Sequence, residues 1–125
     1  MFRALFFTAA VIAAAPALAF DAKPFDPAAF AAAQAAGKSI LVEVHAPWCP
    51  TCKAQAPILS KLSANPKFKG VDAYRVDFDS QKDALKALNV RQQSTLIAYK
   101  GKAETGRSVG STDPAAIEML VGSAI

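Results

Sequence analysis

Cysteine and histidine are scarce in this chain of 125 residues, which holds two cysteines, Cys49 and Cys52, and one histidine, His45. That shortage excludes a self-contained four-ligand metal site built from cysteine and histidine alone. A bilayer-length apolar run is also missing. The N-terminal charge-free stretch, Ala4 to Ala15, is short of the roughly 20 residues that span a membrane. Basic residues do not cluster: Lys23, Lys38, Lys53, Lys61, Lys67, Lys69 and Arg75 alternate with acids, which describes a solvated surface and not a nucleic-acid groove. After Phe20 there is no internal repeat and no low-complexity segment.

What is present begins with a leader. Arg3 gives a positive start, the apolar stretch follows, and Ala17-Leu18-Ala19 has the small-x-small form of a cleavage site. Residues 1–19 are therefore expected to be a cleaved secretory signal peptide, leaving residues 20–125 as one small domain with no membrane insertion. No cysteine stands at the cleavage point, which excludes a lipoprotein. Loss of Arg3 leaves 13 Lys and Arg against 10 Asp and Glu, a formal charge of +3. Export implies a compartment where disulfides persist, and the expected location is periplasmic.

Punctuation and periodicity place the elements. Asp26-Pro27 is an N-cap followed by proline at the first helical position, and Gly37 ends that helix. Ile40 to Val44 reads as a strand buried on both faces. Pro50 opens a second helix with an apolar face of Ala54, Ile58, Leu59 and Leu62, interrupted in its bonding by Pro57 and stopped at Asn65-Pro66. Ala73 to Phe78 is a strand. Ser80 with Asp83 resembles a capping box for a short helix bearing Ala84, Leu85 and Leu88. Thr95 to Tyr99 is a third strand, a turn containing Gly101 leads to a fourth ending near Val109, and Asp113-Pro114 starts a last helix. The order α-β-α-β-α-β-β-α predicts an α/β fold, with a mixed central sheet and helices on both faces.

The two cysteines stand in Trp48-Cys49-Pro50-Thr51-Cys52-Lys53, where strand gives way to helix. The positive end of a helix stabilises a thiolate, so such a pair can alternate between dithiol and disulfide. As a structural staple it would close a tiny loop and constrain the unfolded chain very little. Half of a metal site has the same spacing.

Together these residues resemble the thioredoxin family over essentially the whole mature chain. Trp48 precedes the C-x-x-C, Glu43 stands six residues before Cys49, and Pro57 lies inside the active-site helix. Arg75 matches the basic residue facing the buried acid, and Val90 to Leu96 aligns with the loop that carries the family's cis-proline. The resemblance implies the minimal thioredoxin fold, without the helical insertion of the larger periplasmic oxidases. It implies a thiol–disulfide oxidoreductase with no cofactor, acting on disulfide- or thiol-containing protein substrates. Cys49, at an exposed helix end, would be the nucleophile, and Cys52 would resolve the mixed disulfide. Glu43 would take the Cys52 proton, or else serve only as a buried partner for Arg75. Trp48, Pro50 and Ser94 would face the substrate, the alternative for Trp48 being a place in the core.

Three departures qualify the resemblance. Ser94 replaces the cis-proline, and a cis bond before serine costs about 2.5–4 kcal/mol, so a trans Gln93–Ser94 bond is expected. Its hydroxyl either bonds a thiolate or is inert. His45 is either a packed residue, a cation favouring the Cys49 thiolate, or a metal ligand with a partner molecule. Pro50-Thr51 leans towards oxidation, whereas Glu43 and Arg75 lean towards reduction. The expected activity is slightly more a reductase than an oxidase, fed by a membrane-bound redox partner. The alternative is a metal- or iron–sulfur-binding protein using the same cysteines.

Overall fold

A computed structural model describes residues 9–12 and 18–125. Most of the expected signal peptide lies outside the described residues. Among them, no helix is long and apolar enough to cross a membrane.

Asp26 caps α1 (Pro27–Ala35), its carboxylate accepting from the Ala28 N–H at 3.1 Å. Gly37, at φ +72°, then turns the chain into β2 (Ser39–His45). β2 is central. It runs parallel to β3 (Asp72–Asp77) and antiparallel to β4 (Thr95–Lys100), which pairs antiparallel with β5 (Ala103–Val109). With β1 (Lys23–Pro24) at one edge, the five-stranded order is β1-β3-β2-β4-β5, so the sheet is mixed, as the sequence predicts. The other helices are α2 (Pro50–Ser63), α3 (Lys82–Ala87) and α4 (Pro114–Gly122).

The period of two along β2 divides the core. Ile40, Val42 and Val44 pack with Phe25, Phe30, Tyr74, Leu85 and Tyr99 on the face covered by α1 and α3. Leu41 packs with Leu59, Leu62, Phe68, Leu96, Ile117 and Val121 under α2 and α4. Glu43 and His45 follow Leu41 in the alternation, so they point to the second face, beneath the helix that carries the cysteines. One face holds the fold together with aromatics, and the other positions the site.

Two local readings are corrected. A short strand not expected from sequence, β1 (Lys23–Pro24), adds to β3 at the sheet edge; an edge is where proline is tolerated in a sheet. The Ser80–Asp83 capping box does not form. α3 starts at Lys82, because the Asp77 carboxylate takes the Asp79 and Ser80 N–H groups in a turn, while Gln81 bonds the Asp77 N–H and the Phe25 carbonyl. Asp77 wins the local competition for backbone donors.

Candidate active site

Cys49 is the N-cap of α2 and Pro50 its first residue. Proline costs nothing there, since its missing N–H would have had no helical partner. Cys49 and Cys52 form a disulfide with Cα atoms 5.3 Å apart. Cys49 Sγ accepts from the Cys52 N–H at 3.0 Å, so the helix N-terminus holds this sulfur directly. The expected exposure of Cys49 is corrected: Cys49 is 0% and Cys52 6% exposed. Bonding inward to the Cys52 N–H seats Cys49 in a small apolar cluster with Ala46 and Phe78. Cys52 Sγ lies 3.8 Å from the Val44 carbonyl, which is its acceptor when it carries a proton.

Beneath the pair lies Glu43, 5% exposed and in register with Arg75 across β2 and β3. Its Oε1 accepts from Arg75 Nε at 2.6 Å, whereas Oε2 is buried with no hydrogen-bond partner among the described residues. Burial pushes the Glu43 carboxyl above the ordinary glutamate range, and the Arg75 guanidinium opposes this only in part. Glu43, Cys52, Gln55, Lys53, His45 and Arg75 line one cavity of about 240 Å³. That space is several times the roughly 30 Å³ share of one water. Glu43 thus spends Oε1 on the ion pair while its side chain and Cys52 line the same cavity.

His45 is half-buried, and burial, then the charge of Arg75, pushes it below the ordinary histidine value, with Asp77 opposing. The shift favours the neutral ring over the cation that would attract a Cys49 thiolate. Among the described residues, no group of three or more His, Cys, Asp or Glu is placed to hold a metal ion.

Trp48 is 54% exposed and belongs to the surface. Its indole N–H donates to both Asp79 carboxylate oxygens at 3.1 and 3.0 Å, and its ring meets Phe78 edge-on at 6.3 Å. The Gln93–Ser94 bond is trans, as expected. Ser94 sits at φ +59°, a left-handed conformation costing a non-glycine residue roughly 1–2 kcal/mol. A proline ring is incompatible with that φ. The Ser94 hydroxyl donates to the Gln93 carbonyl at 2.5 Å, so in the disulfide state its hydrogen is committed within the loop. Its backbone N–H donates to the same Val44 carbonyl that Cys52 Sγ approaches. Asp79 and Gln55 had no sequence signal, because their partners lie 31 or more residues away.

Residues 21–122 match the thioredoxin family model. The chain belongs to the thioredoxin family. It is 35% identical over 86 residues to thioredoxin-2 of Saccharomyces cerevisiae, covering 69% of this chain and 80% of that one. It is 34% identical over 82 residues to the thioredoxin of Chlamydia trachomatis, covering 66% and 78%. The crystal structure of Trxlp from Edwardsiella tarda superposes with a TM-score of 0.75 at 45% identity, covering 78% of this chain and 95% of that one. This thioredoxin-family chain is accordingly a thiol–disulfide oxidoreductase with a disulfide-forming cysteine pair, of a family that acts on protein thiols and disulfides.

Proposed function

We propose that the protein is an exported, periplasmic thiol–disulfide oxidoreductase, cleaved between Ala19 and Phe20, that works mainly as a reductase. The observation that carries the mechanism is the buried Glu43 carboxyl, its Oε2 unpartnered among the described residues, on a side chain that lines the same cavity as Cys52. In the dithiol form, the Cys49 thiolate attacks a substrate disulfide, whose S–S bond breaks as a mixed disulfide forms. The departing substrate thiolate takes up a proton. Cys52 then loses its proton to Glu43, through water in the cavity, and its thiolate attacks Cys49 Sγ. The second substrate thiolate leaves, the intramolecular disulfide returns, and two electrons have passed to the substrate. Oxidation of a dithiol uses the same steps in reverse.

An oxidising periplasm re-oxidises such a pair, so net reduction needs a membrane-bound electron donor. Trp48 and Pro50 flank Cys49 and Ser94 stands on the facing loop, so these residues border the peptide near the sulfurs. Reduction of insulin by the dithiol form, with Cys49→Ser as control, tests the chemistry. Recovery of a periplasmic form whose first residue is Phe20 tests the export. Full activity in the Cys49→Ser protein, or a cytoplasmic chain retaining Met1, would refute the corresponding half.

A further inference from the structure

Ser94, in its left-handed conformation, ends the α3–β4 connection and meets the active-site helix through Gln55. Such a residue persists only where its surroundings over-determine it. Its N–H donates to the Val44 carbonyl at 2.8 Å, and its own carbonyl accepts from the Gly110 N–H at 3.1 Å. The same carbonyl also accepts from the side-chain amide of Gln55 at 3.1 Å, and that amide reaches the Ser111 carbonyl at 2.9 Å. Gln55 is 3% exposed and stands on α2, three residues beyond Cys52. Its nitrogen carries two hydrogens, and two carbonyls on two different loops receive them. A buried amide is costly unless bonded, and an apolar side chain would fill this space without that requirement.

We propose that Gln55 is a positioning residue for polypeptide substrates. It fastens the 92–94 loop and the β5–α4 connection to the helix that carries Cys49 and Cys52. The backbone edge beside the disulfide is thereby held in one arrangement. An extended chain pairs with that edge and is laid across the sulfurs. The Gln93 carbonyl, held by the Ser94 hydroxyl in the free protein, is the acceptor that this pairing releases. A small disulfide meets only the sulfurs and depends far less on the edge. The inference rests on the reading that Cys49 and Cys52 exchange with polypeptide disulfides.

The test compares two substrates of the dithiol form, insulin and the small aromatic disulfide DTNB. Gln55→Met keeps the volume and removes both donors. The expected result is a KM for insulin raised about tenfold with kcat little altered, and a loss of kcat/KM on insulin at least about fivefold larger than on DTNB. Equal losses on both substrates, or no loss on insulin, overturn the proposal. A second measurement needs no variant. In the unsubstituted protein, the Gln55 side-chain amide hydrogens should exchange with solvent at least about 10²-fold more slowly than those of exposed Gln92. Equal exchange overturns the clamp. An unsubstituted protein that reduces neither substrate refutes the exchange reading itself, a result distinct from any change in the ratio between substrates.

Discussion

Replacing Glu43 by glutamine removes a buried charge while keeping shape and the acceptor facing Arg75. Two forces oppose each other at this carboxylate. Desolvation disfavours the charged form, and the Arg75 guanidinium, 2.6 Å from Oε1, favours it. The carboxyl is raised above 4.5, so burial wins and the folded protein holds a proton that the unfolded chain releases. Stability from this group is therefore complete below the ordinary glutamate pKa and is lost as pH rises through the folded value. The slope cannot exceed about 1.4 kcal/mol per pH unit for one group. Glutamine does not titrate, so Glu43→Gln should be increasingly more stable than the parent as pH rises from 4 towards neutrality. Urea unfolding across that range measures the difference. The same change removes the proton acceptor for Cys52, and a positioned base contributes typically 10²–10⁴-fold, so the resolving step should slow by about 10²-fold at neutral pH. Trp48, the sole tryptophan and adjacent to Cys49, reports that step by fluorescence. A stability difference that is flat with pH, or one that favours the parent at high pH, would show that Arg75 dominates and would refute the argument.

Phe68 is fully buried among Leu41, Leu59, Leu62 and Val121, so Phe68→Ala should cost about 3–5 kcal/mol by urea unfolding. His45, the single histidine, should titrate by NMR below 6.5. Since its folded value is lowered, its contribution to stability is complete above 6.5 and falls away as pH drops towards the folded value. The Cys49–Cys52 reduction potential should lie nearer about −270 mV than −120 mV, measured against a glutathione or dithiothreitol couple.

The large features were legible because they are local. Asp26-Pro27, Gly37, Asp113-Pro114 and the apolar run of β2 each state an element by themselves. The Glu43–Arg75 pair was also readable, since two strands in parallel register place like-facing residues opposite each other. What escaped is non-local. Gln55 bonds residues 39 and 56 positions away, and Asp79 meets Trp48 across 31. A glutamine in a helix looks like a solvated residue until the loops that cover it are placed. The burial of Cys49 escaped for a related reason. An N-cap cysteine was read as an exposed helix end, but the bond to the Cys52 N–H draws its sulfur inward, against Ala46 and Phe78.

The direction of electron flow turns on how strongly the Cys49 thiolate is held, because stabilising the dithiol form makes the couple more oxidising. The span from −270 to −120 mV is worth about 7 kcal/mol, which several strong contacts must supply together. Here the contacts are few. One N–H, from Cys52, reaches Cys49 Sγ, and Pro50 has no N–H to add. Burial and Arg75 push His45 towards its neutral form, which weakens any positive charge it would bring. The nearest buried acid, Glu43, is shifted towards its uncharged form and adds no attraction for an anion. The helix dipole remains, worth about 0.3–1 kcal/mol at a typical terminus and up to ~2 in buried settings. That is a small part of the range, so we propose a couple towards the reducing end, and a measured potential of about −120 mV would refute this argument.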